Sequence, residues 1–396
     1  MLAVSIHLGV VPRSLLTEDE PRADDLSSYK LCAVGDLVLN RMRAFQGAVG
    51  LAPSAGLVSP DYIVLRPSGA DGRFLHHLFR SSIFVGQMVA RLRGIGSNET
   101  GSVRTPRINA DDLGDIEVGL PSVERQRAIA DFLDAETARI DALIEKKRRM
   151  IDLLDQRRTG VIHAAVAGLL PVAGERRGAT LGWLESLPAG WGEVTLSLVA
   201  KLGSGHTPSR TRPEWWLDCT IPWITTGEVQ QMRSDRIEEI FQTRERISAL
   251  GLANSSAAVH PSGTVVLCRT ASAGYSAIMG TDMATSQDFA TWTCGPRLRP
   301  RYLLLCLRAM RPDLLGRLAY GSTHKTIYMP DIQALKIPLP SIDDQDRAVE
   351  SAWQRLTRID TACARLHEQL ALLREHRQAL ITAAVTGELA VPGVAA

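Results

Sequence analysis

Apolar side chains recur at threes and fours through two long stretches of this chain of 396 residues. In the first stretch they are Ile129, Leu133, Ile140, Ile144, Ile151, Leu154 and Val161. In the second they are Val349, Trp353, Leu356, Ile359, Cys363, Leu366, Leu370, Leu373 and Leu380. That period belongs to an α-helix with one apolar stripe. Each stretch opens on a serine placed to cap it, Ser122 or Ser341, with Glu124 or Asp343 at the positive end of the helix dipole. Each closes at a glycine, Gly168 or Gly387, suited to the left-handed turn past a helix end. About forty residues at 1.5 Å each make a rod of roughly 60 Å, far beyond the globular average. A single stripe on so long a rod needs an equally long partner, and the other copy supplies one.

The two stretches also match in sequence. Residues 120–170 overlay 339–389 without a gap, sharing Leu120/Leu339, Pro121/Pro340, Ser122/Ser341, Gln126/Gln345, Arg139/Arg358, Ile140/Ile359, Asp141/Asp360, Leu154/Leu373, Arg158/Arg377 and Gly168/Gly387. A match of that length marks an internal duplication. The segments before the rods repeat as well: "AVGDLVLN" (33–40) answers "PSGTVVLC" (261–268), and "RFLHHLFRS" (73–81) answers "RYLLLCLRA" (301–309). Here the pattern shortens to a glycine turn, an apolar strand, a polar stretch, further strands and a short helix.

The fold class expected is α+β, with two mixed α/β domains separated by two long antiparallel coiled-coil helices. The segments are a first domain at 1–119, a helix at 120–170, a linker rich in proline, glycine and charge at 171–186, a second domain at 187–338 and a second helix at 339–390. Helix pairing is expected through Ile140, Ile151, Leu154, Ile359, Leu370 and Leu373. The second domain spends roughly seventy-five residues before its Gly263 turn and the first about thirty-five before Gly35, so the first domain reads as short of about forty N-terminal residues. Its opening "MLAVSIHLGVVPRS" has no basic start and meets Pro12 quickly, the pattern of a buried strand rather than a signal peptide.

Composition narrows the classes. Lys+Arg 45 against Asp+Glu 43 leaves a net charge of +2, so bulk charge does not announce a nucleic-acid partner. No apolar run reaches the roughly 18 residues of a membrane span. The six cysteines form no CxxC or CxxH pair, the pattern of reduced thiols in a cytoplasmic protein rather than of a zinc site or disulfide framework. No phosphate-loop, amino-methyltransferase or dinucleotide motif is present: "GIGSNE" (94–99) lacks its third glycine, and Glu145-Lys146-Lys147 sits mid-helix as a solvated face. The adjacent His76 and His77 have no metal-ligand spacing, and core or surface roles are the default for them.

The ordered set "VGLPSVERQ" and "IPLPSIDDQ" opening the rods, "AAVAGLL" and "AAVTGEL" closing them, with "WLESLPAGW" (183–191), "SGHTPSR" (204–210), "IPWITTGEV" (221–229), "GDLVLN" and "VSPDY", resembles the specificity subunit of Type I restriction-modification systems. The resemblance covers essentially the whole chain. It implies two target recognition domains, each reading half of a bipartite asymmetric double-stranded DNA site, and conserved spacer helices that set the gap and dock two methyltransferase subunits. It implies no catalysis, cofactor or metal on this chain. S-adenosylmethionine, ATP and Mg2+ would belong to partner subunits, the methyltransferases and restriction/translocase subunits of a cytoplasmic complex that methylates adenine and cuts DNA. A coiled-coil assembly scaffold, or a truncated, silent specificity cassette, are the alternatives.

Bases are told apart in the major groove by Arg or Lys on guanine and Asn or Gln on adenine, while Ser, Thr and Lys hold phosphates. In the second domain the residues of that kind in glycine-broken loops are His206, Thr207, Ser209, Arg210, Arg212, Thr225, Thr226, Glu228, Arg269, Thr270, Ser286, Gln287, Ser322, Thr323, His324 and Lys325. In the first they are Asn40, Arg41, Arg43, Gln46, Ser59, Asp61, Ser97, Asn98 and Arg104. Trp191 and Trp223 are expected in the core rather than stacked on bases.

Overall fold

A computed structural model of the chain describes residues 1–6, 8–17, 26–92, 106–170, 174–320 and 325–392. The chain divides into two compact units, Met1–Arg149 with Leu366–Ala396, and Met150–Arg365. The long helices run Val123–Val166 and Ile342–Thr386, and each unit holds a stretch of both. Both begin as their sequences require: Ser122 Oγ accepts from the Arg125 N–H at 3.3 Å and Ser341 Oγ from the Asp344 N–H at 3.2 Å.

In the first unit the helix stretches run antiparallel. Asp141 pairs with Arg377 at 2.9 and 3.1 Å, and further along the first helix Lys147 bonds Gln369, further back on the second. Ile140, Ile144, Leu366 and Leu370 are buried along this stretch. In the second unit Val161, Leu356, Ile359 and Cys363 join the domain core with Leu154 packed against it, and Arg158 pairs with Asp360 at 3.2 Å. The two ion pairs are the same pair seen from opposite copies, because Arg158 is equivalent to Arg377 and Asp360 to Asp141. Ile151 and Leu373 are half-buried.

The second unit carries a five-stranded sheet, in the order Ala200–Ser204, Phe289–Cys294, Val265–Cys268, Ser276–Met279 and Glu239–Ile240. A four-stranded sheet orders Glu245–Ile247, Ile221–Ile224, Met283–Thr285 and Val259–His260. The first unit has three strands, Val49–Leu51, Leu37–Asn40 and Tyr62–Leu65, beside a Lys30–Cys32/Gly56–Val58 pair and a Leu2–Ser5/Gly9–Pro12 hairpin. The duplication reaches the strand register: Leu37 faces Leu51 and Leu65 as Val265 faces Ile278 and Trp292. Tyr62–Leu65 is an edge strand among the described residues, whereas its counterpart Phe289–Cys294 has Ala200–Ser204 on its far side. Apolar burial follows, with Trp191, Trp223 and Trp292 in the second unit's interior and Leu37, Leu39 and Phe74 in the first's.

Each domain is tied to its long helix by one buried glutamine. Gln126 accepts from the Asp71 N–H and donates to the Pro121 carbonyl, both at 2.8 Å. Gln345 accepts from the Arg299 N–H at 2.8 Å and donates to the Arg297 and Pro340 carbonyls at 2.9 and 3.1 Å. Asp71 and Arg299 are the N-cap residues of the equivalent short helices Gly72–Arg80 and Pro300–Ala309. Past the far ends, Gly168 and Gly387 take φ of 65° and 81°. A Cβ on Gly168 would also lie 2.5 Å from Pro188, while one on Gly387 would meet nothing. The first helix therefore turns against Pro188 of its neighbouring domain, while the second, with Val391 beyond it, packs into the first unit's core through Ile381, Ala384 and Val385 with its Gly387 turn in open space.

Two outcomes follow from these contacts. Replacing Gln345 by Leu strands a buried N–H and two carbonyls, and is expected to cost the second unit about 3 kcal/mol in urea unfolding. His76, in Gly72–Arg80, is pushed down to about 3, by burial first and then by His77 and Arg80. Its folded value lies below the unfolded value of about 6.5, so its contribution is present above that pH and is lost as pH falls toward 3. The first unit should weaken by up to about 1.4 kcal/mol per pH unit over that window. His76→Leu, which installs the residue found at the equivalent Leu304, should flatten the decline in denaturant titrations at stepped pH.

Candidate nucleic-acid interface

The two sheets of the second unit end together. Ser204, Cys268, Ile224 and Thr285 are the last residues of their strands, and cross-strand pairing sets Ser204 and Cys268 against the start of Phe289–Cys294 and Ile224 beside Thr285. The loops leaving these ends are bonded to one another. The His206 N–H reaches the Thr285 carbonyl at 3.0 Å and the Ser286 N–H the Ile224 carbonyl at 2.9 Å. Gly205 permits the first contact, since a Cβ there would fall 1.8 Å from the Thr285 carbonyl oxygen.

Polar side chains from distant parts of the chain therefore share one rim. Thr207 donates to Gln287 at 2.7 Å, and Arg269 gives its Nε to the Gln287 carbonyl at 2.9 Å. The Ala271 N–H bonds the Lys325 carbonyl at 3.1 Å, and Thr270 bridges Thr326. Beside them Ser209 and Thr211 share a hydrogen bond at 2.9 Å. The Arg210 guanidinium lies 4.0 Å from the centre of the Trp216 ring and is held by Glu245 at 2.7 Å, which fixes its plane at low entropic cost. Arg212 is exposed and 3.9 Å from Glu214. His206, Thr226, Gln287 and Lys325 are exposed on the same loops.

Two of the sequence candidates are placed inside instead. Glu228 is fully buried and closes a capping box with Thr225, accepting from the Arg244 N–H at 2.7 Å and the Thr225 N–H at 3.3 Å. It therefore builds the turn and is not available as a base contact. Ser286 is 3% exposed and its hydroxyl accepts from the Asp288 N–H at 3.3 Å, so it shapes the loop on which Gln287 stands. Arg244, absent from the candidates, is exposed next to this capping box and its aliphatic stem runs past Gly227. The signal for it was the "TRER" charge run at 243–246.

The first unit repeats the scheme in reduced form. Ser59 accepts from the Asp61 N–H at 3.3 Å, as Ser286 does from Asp288, and the Tyr62 N–H closes on the Ser59 carbonyl at 3.0 Å. The Arg41 carbonyl accepts from the Ile108 N–H at 3.1 Å, as the Arg269 carbonyl does from Ile327 at 2.8 Å. Asn40 accepts from the Met42 N–H at 3.0 Å and shapes that loop. The Arg41 side chain is consumed by the Ile108 carbonyl at 3.0 Å and by Asn109, so it holds the loop and does not extend from it. Arg43, Gln46 and Asp61 are exposed. Ser97, Asn98, Arg104, Ser322, Thr323 and His324 lie outside the described residues.

Stability separates builders from presenters. Glu228→Ala should destabilise the second unit by about 2 kcal/mol, through loss of the capping box and of the partner to the Arg244 N–H. Gln287→Ala should stay within about 0.5 kcal/mol of the parent in the same thermal or urea melts.

Comparison with known proteins adds three findings. Residues 188–372 match the family model described as Type I restriction modification DNA specificity domain. The chain is 25% identical over 164 residues to the Type I restriction enzyme MjaIX specificity subunit of Methanocaldococcus jannaschii, covering 41% of this chain and 37% of that one. It is 24% identical over 213 residues to the StySPI specificity subunit of Salmonella potsdam, covering 51% and 44%. The matches thus span less than half the length of these two relatives. A solved chain from a study of complex assembly and conformational transition of the type I R-M system superposes with a TM-score of 0.71 at 22% identity, over 92% of this chain and 85% of that one, and so shares its fold.

Proposed function

We propose that this chain belongs to the specificity-subunit family of Type I restriction-modification systems and is the subunit through which such a complex reads DNA. The observation that carries the reading is the shared rim at the joint end of both sheets, built from five separate segments and rebuilt at the equivalent place in the first unit. On that rim, Arg210, Arg212, Gln287 and Lys325 have the chemistry of base-edge and phosphate contacts, and Ser209, Thr211 and Thr226 that of phosphate anchors. Arg43 and Gln46 take the corresponding parts in the first unit. Because the two rims present unlike residues, they read unlike half-sites, and the paired helices set the unread base pairs between them.

The same helices offer the long surfaces on which two methyltransferase subunits dock. S-adenosylmethionine, and ATP with Mg2+ for the restriction/translocase subunits, reside on those partners, and this chain supplies address rather than chemistry. The small net charge of the chain agrees with partners that share the phosphate contacts. The test is to express the chain with its neighbouring methyltransferase and map methylated adenines across a genome, with and without this gene. A split adenine-methylation motif that disappears with the gene is the expected result. An intact complex that leaves no split motif would overturn the reading.

A further inference from the structure

The first unit contains a cavity of about 740 Å3 whose wall carries four arginines, Arg80, Arg148, Arg374 and Arg377. Two carboxylates stand with them. Asp141 is committed to Arg377, and Glu145 pairs with Arg149 at 3.0 Å. Arg80 gives one Nη to the Ile6 carbonyl at 2.9 Å. Among the described residues no acid forms an ion pair with Arg80, Arg148 or Arg374. Burial, and then Arg377, push the Arg80 guanidinium down to about 10 against the opposing pull of Asp141.

The duplication shows what stands here in the other copy. Arg308, equivalent to Arg80, donates to the Asp235 and Ile237 carbonyls at 2.8 and 2.7 Å and lies 3.5 Å from the Asp235 carboxylate. Arg311 grips the same carboxylate with both nitrogens at 2.6 and 2.7 Å. Arg158, equivalent to Arg377, reaches the Asp235 carbonyl while holding Asp360. Asp235 takes a φ of 54° to do this, a left-handed backbone that non-glycine residues rarely adopt. At the position of Arg374 the second unit has Asp155, which faces Arg236 at 3.7 Å. The first unit has kept the buried arginine and its helix partner, has exchanged one acid for Arg374, and among the described residues sets no carboxylate where Asp235 stands.

We propose that this cavity binds an oxyanion, the phosphate or carboxylate group of a small molecule, in the place that the Asp235 carboxylate fills in the second unit. Guanidinium forks match either group in bidentate geometry. Val85, Val89 and Ile144 give the wall apolar surface alongside the polar Gln46, Ser82 and Gln378, and the volume exceeds a bare ion, so the ligand has a body beside its charge. Bound there, it would brace the first domain's short helices on the long helix pair, a role that Asp235 plays covalently in the other copy.

The test uses the full chain. Inorganic phosphate and malonate are titrated separately by calorimetry and in thermal melts, each against sodium chloride at equal ionic strength. Saturable binding of either probe that chloride does not reproduce, with a rise of about 3 °C in the first transition, is expected. The tighter probe identifies the headgroup. Arg374→Ala, an exposed change, should weaken binding at least tenfold. Leu8→Glu places an acid on an exposed rim residue of the cavity, and should abolish uptake while raising the melting temperature without ligand. Shifts equal to those of chloride, or binding unchanged in Arg374→Ala, would overturn the proposal.

Discussion

Two buried amides hold the molecule's parts in register. Gln126 and Gln345 each sit at the first turn of a long helix, accept from the N-cap of a domain helix and donate to the carbonyl of the proline before the long helix begins. A side-chain amide carries both a donor and an acceptor in one rigid plane, so it can satisfy two backbone groups only at one mutual angle. Leaving those groups unpaired inside the protein is expensive, and no apolar residue can substitute. Within each unit the short helix, the sheet above it and the loops at the sheet's end inherit their orientation from that angle. The polar rim is thus positioned from the opposite end of the domain that carries it.

The two units are the same solution reached with different charge. Strand registers, serine turns, backbone clamps on Arg41 and Arg269, and the exchanged Arg158–Asp360 and Arg377–Asp141 pairs all agree. Each of these groups has a fixed partner, on the other helix, in the same turn or on a segment the fold brings alongside, so a change in one copy would strand a neighbour. Divergence falls at the sign of charge at Asp155 and Arg374 and, among the described residues, at the acid of Asp235.

Much of this was legible in the sequence, and the reasons are particular. The helices announced themselves because a period of three to four over forty residues has few other meanings. The ungapped repeat makes Asp141 equivalent to Asp360 and Arg158 to Arg377 on residue identity alone, although nothing in it says that each aspartate meets the other copy's arginine. The strand match between 33–40 and 261–268 holds to the residue because both begin at a glycine of positive φ. The site was less legible. Glu228 reads as a polar loop residue, yet Thr225-Thr226-Gly227-Glu228 is a capping-box pattern and its burial could have been inferred. Arg41 could not, because its partner is the carbonyl of Ile108, far along the chain and recruited only by the fold.

The serine turns at Ser59-Pro60-Asp61 and Ser286-Gln287-Asp288 have an evolutionary reach beyond their geometry. In each, the serine hydroxyl accepts from the aspartate N–H, so the outer residues carry the bend. The middle residue contributes neither hydroxyl nor N–H to it, and the two copies already differ there, proline in one and glutamine in the other. What the loop displays can therefore drift by single substitutions while its shape is inherited unchanged. A lineage can vary the displayed group without first rebuilding the scaffold that carries it.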